Sequence, residues 1–274
     1  MRKITVLLLV ILAGAMLPQA GFSLPKLGDI KNPVTGIKDK AKARLDAEAA
    51  SATGVTAMNR KMMYNTLYAQ IFFMGGFGAG YYELEETQGT VWRLSATDKE
   101  GKVSSVEAER ALLKKLPGGS SWWYLAWRSE GEEWEFESLM DKDQLARKIR
   151  YYNEDVKRIQ ESEFKYSKEK ADPEAETTPP EEAPASSLDF SDLQNYSKGK
   201  EKIKISGKTF DCERIEWKYK NEEDNSTLTY TWWVDASAAG GLVKYEWTLS
   251  GSKEMVKGEL ISIKKGYKTK FKSF

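Results

Sequence analysis

The chain has 274 residues, with 42 lysines and arginines against 41 aspartates and glutamates, one cysteine and no histidine. This balance gives no support for a nucleic-acid partner, because such proteins concentrate basic residues. The absence of histidine excludes the usual serine and cysteine hydrolase triads and the common zinc and iron sites. We therefore expect a protein that is not an enzyme and has no metal or cofactor, and we predict that Cys212 is a buried structural thiol.

The first residues, MRKITVLLLVILAGAMLPQAGFS, have the layout of a secretory signal peptide: two basic residues, an apolar run and then small residues. The apolar run from Ile4 to Leu12 is too short to favour a membrane-spanning helix, which needs about 20 apolar residues. A retained signal anchor is the alternative. We expect residues 1–23 to be a cleaved signal peptide and the mature protein to be periplasmic or secreted.

Residues 24–79 are predicted to form an N-terminal helical segment, because apolar residues from Leu45 to Ile71 recur at helical spacing. Gly54 leaves open whether this segment is one helix or two. The GGFGAG stretch from Gly75 to Gly80 lacks the G-x-G-x-x-G spacing, so a helix end and a turn are favoured over a phosphate-binding loop.

Residues 80–165 read as a first antiparallel β region, with strands separated by Gln-Gly, Pro-Gly-Gly and Ser-Glu-Gly turns. Within it, residues 143–160 fit either a strand or a helix, and we lean to a helix in the later part. Residues 166–190 are acidic and proline-rich, which predicts a disordered linker. Residues 191–274 read as a second antiparallel β region that forms one sheet with the first.

Adjacent tryptophans occur twice, at Trp122-Trp123 and Trp232-Trp233, and the few matching positions offset by 110 residues fit either a duplication or a chance match. In a strand, neighbouring side chains point to opposite faces, so each pair requires a sheet that is covered on both faces. In KTFDCERIEWKYK the apolar residues change from even to odd positions, which predicts a bulge or bend near Glu213 and Arg214. The predicted fold class is mainly β with an N-terminal helix (α+β), a strongly curved antiparallel sheet or half-barrel covered by helices.

The C-terminal third contains a strand with Gly207 and Phe210, a Trp233-Val234 pair, and the run GGLVK from Gly240 to Lys244. This pattern resembles the C-terminal half of exported bacterial proteins of unknown function. At the level of the fold, the order of helix, curved sheet and aromatic inner face is similar to the periplasmic lipoprotein-carrier (LolA-like) half-barrel. That resemblance implies an aromatic concave face that shields acyl chains.

The first functional hypothesis is therefore a non-enzymatic envelope protein that binds a lipid, lipoprotein or other apolar ligand on its aromatic face. The candidate lining residues are Trp92, Trp122, Trp127, Trp134, Trp217, Trp232, Tyr245 and Trp247. The alternative is a structural or interaction module in which outward-facing Trp123 and Trp233 dock an envelope protein or glycan. An enzyme would need a pair of carboxylates facing a cleft.

The C-terminal segment KKGYKTKFKSF carries Lys268, Lys270 and Lys272 at strand spacing. Two interpretations remain open. The segment is either an edge strand protected from aggregation by its lysines, or a peripheral contact with anionic lipid head groups or a cell-wall polymer.

Overall fold

The computed structural model describes residues 52–72, 84–154, 156–164, 195–221 and 225–274. Its described part contains one α-helix, α1 (Ala52–Phe72), and eleven strands, so this part of the chain is mainly β. The strands are β1 (Gly89–Thr97), β2 (Val103–Lys115), β3 (Ser121–Ser129), β4 (Glu132–Met140), β5 (Ala146–Asn153), β6 (Arg158–Glu163), β7 (Ser197–Ile205), β8 (Lys208–Lys220), β9 (Thr227–Val234), β10 (Leu242–Leu249) and β11 (Met255–Lys264).

Several predictions lie outside these residues, namely the signal peptide, the GGFGAG turn and the 166–190 linker. The sequence predicts that helices cover the sheet, but α1 is the single α-helix of the described residues, so covering by several helices is not found there. No described helix is long and apolar enough to cross a membrane.

The strands form one antiparallel sheet in the order β6-β5-β4-β3-β2-β1-β11-β10-β9-β8-β7. Strands that are neighbours in the sheet are consecutive in the chain everywhere except at the centre, where β1 pairs with β11 from Gly89↔Lys264 to Thr97↔Met255. The β1–β6 and β7–β11 meanders are thereby joined into one sheet, and β6 and β7 are its two edges.

The predicted turn residues lie where the chain must adopt positive φ. Gly131 has φ 77° in the β3–β4 connection, and Ser206 and Gly207 have φ 47° and 83° in the two-residue β7–β8 turn. Positive φ at both central residues is the geometry that suits the twist of a tight hairpin. The Ser-Glu-Gly turn expected between β3 and β4 is confirmed.

Residues 146–163 form the β5–β6 hairpin, so the lean towards a helix in residues 143–160 was wrong. A bulge or bend was predicted near Glu213 and Arg214. The pairing of β8 with β9 is continuous there, but the pairing of β8 with β7 has a register shift opposite these residues, between Ser197 and Lys200, which pair with Ile215 and Glu213. The extra residue belongs to β7. The even and odd positions of β8 alternate normally, and each set packs into a different core cluster.

One face of the sheet, the helix side, packs against α1 through Tyr64, Leu67, Ile71 and Phe72 and contains the main core cluster. The opposite face, the tail side, carries two smaller clusters. One lies around Trp122 and Tyr124 and is covered by residues 265–274. The other lies around Cys212 and Trp233, where Ile203 and Ile205 of β7 pack beside them.

The sheet is bent at its β7 end. Three strands separate β7 from β11 in the sheet, yet the two contact each other in space. The Ser206 hydroxyl, at the β7–β8 turn, donates a hydrogen bond to the Ile261 carbonyl oxygen at 2.5 Å. This bond fixes the hairpin end over the tail side of β11.

The two tryptophans of each adjacent pair are buried on opposite faces of the sheet by different parts of the protein. Trp123 packs edge-to-face on Phe72 of α1, with ring centroids 5.2 Å apart, whereas Trp122 lies 5.8 Å from Phe274 on the tail side. Trp232 belongs to the helix-side core and Trp233 to the tail-side cluster. Positions offset by 110 residues, such as Trp122 and Trp232, thus face opposite sides and are not equivalent in the sheet.

Gly258 of β11 provides a test of how tightly the central strands pack. Its backbone conformation suits any residue, but a Cβ there would overlap the ring of Tyr245, which packs flat across this position from β10. We expect Gly258→Ala to lower the free energy of unfolding by about 1–3 kcal/mol through overpacking, measured by urea denaturation. Lys257→Ala, on the other face of the same strand, should change it by less than about 1 kcal/mol, and equal effects of the two would contradict this.

Candidate functional site

Six aromatic side chains form a continuous aromatic row on the helix side, across β1, β10, β9 and β8. They are Trp92, Tyr245, Trp247, Tyr230, Trp232 and Trp217. Consecutive ring centroids are 6.3 Å apart for Trp92 and Tyr245, 5.9 Å for Tyr245 and Trp247, and 5.3 Å for Trp247 and Tyr230. Tyr230 then contacts both Trp232, at 5.7 Å, and Trp217, at 5.2 Å. These are the separations at which aromatic pairs attract one another.

Strand register explains why these side chains meet. Trp217 is paired with Tyr230, and Tyr230 with Trp247, across neighbouring strands. Residues directly opposite each other in a sheet have side chains on the same face. Residues 245 and 247, like residues 230 and 232, are two positions apart and so share that face as well.

The structure brings together five of the eight candidate lining residues: Trp92, Trp217, Trp232, Tyr245 and Trp247. Trp127 and Trp134 are a cross-strand pair on the same side, but they lie towards α1, where the Arg60 guanidinium is 4.6 Å from the Trp134 ring centroid. Trp122 lies on the tail side, away from the others. Tyr230, at the centre of the row, was missed as a candidate although its alternation with Trp232 was visible in the sequence.

The aromatic row is an uncharged surface. Trp92, Trp232, Tyr245 and Trp247 are between 1% and 5% exposed. Burial raises the pKa of the Tyr230 and Tyr245 hydroxyls well above their usual range, so neither ionises near neutral pH. Such a surface can stack on apolar groups but offers no acid or base for catalysis.

Helix α1 is anchored over the other half of the helix side. The Tyr64 and Ser138 hydroxyl oxygens are 2.6 Å apart, and the Tyr68 hydroxyl donates to the Gln144 carbonyl oxygen at 2.6 Å. The Lys61 ammonium donates to the carbonyl oxygen of Glu163 at 2.5 Å. These anchors are on β4, on β6 and in the β4–β5 connection, whereas the row extends over β1 and β8–β10.

The tail side has a different character, because one row of alternating charges crosses six strands in register. The row consists of Lys244, Glu259, Arg93, Glu107, Arg128 and Glu133. Two half-open cavities of about 240 and 310 Å³ lie beside it, and Arg93 lines both. No member of the aromatic row lines either cavity. Opposite charges that face each other across strands stabilise the pairing.

Sequence reasoning missed the role of the C-terminal segment, which lies across the tail side rather than forming an edge strand. Glu137 is completely buried there. Its carboxylate accepts hydrogen bonds from the Thr269 hydroxyl, at 2.8 and 2.9 Å, and from the backbone N–H of Lys270 at 2.6 Å. Arg150 is 3.8 Å from the same carboxylate and stacks on the Trp122 ring. The carboxylate thus holds the tail against the sheet.

Two further carboxylates fasten this segment. Burial alone would raise the pKa of Glu109, but hydrogen bonds from Tyr267 and Arg128 outweigh it and hold the pKa below its usual range. Burial alone would likewise raise the pKa of Glu135, but hydrogen bonds from Lys270 and Tyr124 outweigh it and hold the pKa below its usual range. Lys270 is therefore already engaged with the sheet, and the Lys272 ammonium lies 3.6 Å from Glu161.

Two further sequence predictions can be compared with the structure. Cys212 is buried, as predicted, and burial followed by the nearby Asp235 charge raises the pKa of its thiol to about 12. It is therefore protonated and unreactive near neutral pH. The expectation that Trp123 and Trp233 face outward and could dock a partner is wrong, because these side chains are only 2% and 5% exposed.

Comparisons with known proteins give distant likenesses. No protein-family model matches the chain, and no curated protein matches it. A proposed exported protein with a YmcC-like fold from Bacteroides fragilis is 9% identical, with a TM-score of 0.32, over 67% of this chain and 98% of that one. Lipoprotein LppX from Mycobacterium tuberculosis is 10% identical, with a TM-score of 0.22, over 62% and 84%. A proposed outer membrane lipoprotein-sorting domain from Vibrio parahaemolyticus is 9% identical, with a TM-score of 0.19, over 65% and 84%.

These are the kinds of protein that the sequence resemblance indicated, namely exported proteins and lipoprotein-related folds. The fold itself defines a mainly β protein with one large antiparallel sheet, a helix on one face and an aromatic row beside that helix.

The buried Glu137 provides a test of the tail anchor. Glu137→Gln replaces one acceptor oxygen by a donor facing Thr269 and the Lys270 N–H, so we expect a loss of about 2–4 kcal/mol in the free energy of unfolding. Urea denaturation measures it. Glu133→Gln is the matched control, since its carboxylate is 54% exposed and pairs with Arg128, and it should cost about 0–1 kcal/mol. Similar losses for both would show that Glu137 does not anchor the tail.

Low pH should weaken the attachment of the C-terminal segment to the sheet. Glu109 and Glu135 have folded-state pKa values below the ordinary value of 4.5, so their contribution is complete above that pH and is lost as the pH falls through the lowered values. We expect the urea midpoint to drop between pH 5 and pH 3, and Glu109→Gln to make this dependence shallower. A midpoint independent of pH in this interval would contradict the lowered values.

Proposed function

We propose that this chain is a non-enzymatic, exported protein of the bacterial envelope, periplasmic or secreted, and that its aromatic row binds a lipid-like or apolar ligand. The observation that supports this most directly is the concentration of six uncharged aromatic rings on one side of the sheet, beside the half that α1 occupies. Aromatic rings that pack on one another can equally form part of a hydrophobic core. A binding measurement therefore has to distinguish ligand binding from core packing.

In the proposed mode of binding, the sheet acts as a half-barrel and the ligand lies along the row, next to α1. Acyl chains would exchange ring–ring contacts for ring–methylene contacts, which removes apolar ligand surface from water at about 25 cal/mol per Å². Because α1 is held by polar contacts to β4, β6 and the β4–β5 connection, the row could open without releasing the helix. A lipid or lipoprotein acyl chain is the partner that fits this chemistry.

The other partners expected from the sequence have weaker support. Contact with anionic lipid head groups through Lys268, Lys270 and Lys272 remains a proposal, although Lys270 and Lys272 already have carboxylate neighbours. No specific observation supports docking of an envelope protein or glycan, since Trp123 and Trp233, which were expected to form that surface, are buried.

The proposal predicts saturable binding of a fluorescent fatty acid by the delipidated protein. Trp232→Leu should weaken this binding about tenfold or more, because it removes a ring from the centre of the row. Trp122→Leu is the matched control: it removes a buried ring from the tail side and should leave the affinity unchanged. Circular dichroism at the assay temperature verifies that both variants remain folded.

The outcomes separate a binding surface from a plain core. Equal loss of affinity in the two variants would assign the effect to general destabilisation. Absence of saturable binding to the unmutated protein at any probe concentration would overturn the proposal.

A further inference from the structure

Two buried hydrogen-bonding atoms at one end of the aromatic row have no partner. They are the Thr90 hydroxyl oxygen Oγ1 and the Trp92 indole nitrogen Nε1, in residues that are 0% and 1% exposed. Buried polar atoms in folded proteins are nearly always hydrogen-bonded, and each exception requires a physical reason. Leaving one unpaired costs about 1–3 kcal/mol.

Both atoms belong to the helix side of the sheet. Thr90 and Trp92 are two residues apart in β1, and its pairing with β2 continues without a register shift, so their side chains share a face. Trp92 is the first ring of the row and contacts Tyr245. Thr90 is directly opposite Arg110 of β2. The two atoms thus lie where the apolar row meets a buried charge.

Arg110 brings a positive charge to this place. It is 1% exposed, and its Nη1 donates to the Ile71 carbonyl oxygen, near the end of α1, at 3.4 Å. Its guanidinium carbon is 6.0 Å from the Phe72 ring centroid. We name Thr90, Trp92 and Arg110 the donor cluster.

The two unpaired atoms of Thr90 and Trp92, together with the nearby Arg110 charge, restrict the chemical group that would pair with them. An indole N–H and a guanidinium can only donate hydrogen bonds, and the Thr90 hydroxyl can donate as well, so the complementary group is an acceptor. The Arg110 charge favours an acceptor that is negatively charged, because charge-assisted bonds are about twice as strong as neutral ones. Carboxylates and phosphates satisfy both conditions.

We infer that the donor cluster binds the oxyanion head group of an amphiphile whose apolar tail lies along the aromatic row. This inference rests on the proposed function and narrows its ligand to anionic amphiphiles with a carboxylate or phosphate head. Valine at 90 and phenylalanine at 92 would fill nearly the same space without an unpaired polar atom. A buried water is the competing occupant, since it too can accept from both donors.

Four probes test the inference by titration of the delipidated full chain. Dodecanoate and dodecyl phosphate carry the two oxyanion heads, dodecyltrimethylammonium carries the same tail with no acceptor, and diphenylhexatriene has no head group. We expect one or both oxyanion probes to bind at least about tenfold more tightly than the ammonium probe. The relative affinities of the first two distinguish a carboxylate from a phosphate ligand.

Conservative variants then remove single donors. Thr90→Val should weaken binding of the preferred oxyanion probe about tenfold and leave diphenylhexatriene binding unchanged. Trp92→Phe, which also shortens a ring of the row, should weaken oxyanion binding about tenfold and diphenylhexatriene binding by less. In the ligand-free protein, Thr90→Val should raise the urea midpoint, because it deletes an unpaired buried hydroxyl. Greater stability together with weaker binding is a result that a purely structural role for Thr90 does not produce.

Two matched controls have no part in the donor cluster. Thr231→Val changes a buried threonine on the tail side, and Trp123→Phe removes an indole N–H that already donates to the Ser121 hydroxyl at 2.8 Å. Neither should alter the preference for an oxyanion head, and Trp123→Phe should lower stability.

The outcomes distinguish failure of this inference from failure of the proposed function. If diphenylhexatriene binds but the three dodecyl probes bind equally, or the two donor variants leave oxyanion binding unchanged, the donor cluster holds only water and the inference is overturned. If no probe binds, the proposed function fails and the inference fails with it.

Discussion

The antiparallel pairing of β1 with β11 is the interaction on which the rest of the structure depends. It joins strands that are more than 150 residues apart in the chain and unites two meanders in one sheet. Forming it closes a very long loop, which costs conformational entropy that local hairpins do not. Apolar burial on one face and the charge row on the other stabilise the pairing: Trp92 and Leu260 pack on the helix side, and Arg93 faces Glu259 on the tail side.

This central pairing also gives the two faces separate roles. The aromatic row is continuous only because β1 lies close to β10 through β11, which brings Trp92 against Tyr245. On the opposite face, the segment that follows β11 crosses β2 to β5 and is held by Glu109, Glu135 and Glu137. The helix side is thereby apolar along the row where the acyl chain of a ligand is proposed to lie, whereas the tail side is polar and is held by carboxylates.

Much of the fold could be predicted because its signals are local. Alternation and turn residues predicted the strands, and Trp122-Trp123 correctly required cover on both faces, since a strand has a period of two. The β5–β6 hairpin was missed because apolar spacing in residues 143–160 fits a helix as well. The spacing of the C-terminal lysines allowed an edge strand as one of two interpretations, but hydrogen bonds to distant carboxylates place the segment across the sheet instead.

Five of the eight candidate residues were brought together because sequence alternation places aromatic side chains on a common face within each hairpin. By itself the sequence determined the β class, the absence of histidine chemistry and the need for two covered faces, since these follow from composition and period. Only the tertiary structure decided which rings meet, that Trp122 lies apart from them, and that Thr90 and Trp92 are buried without partners. Those facts depend on the order and register of strands distant in the chain, which no local pattern encodes.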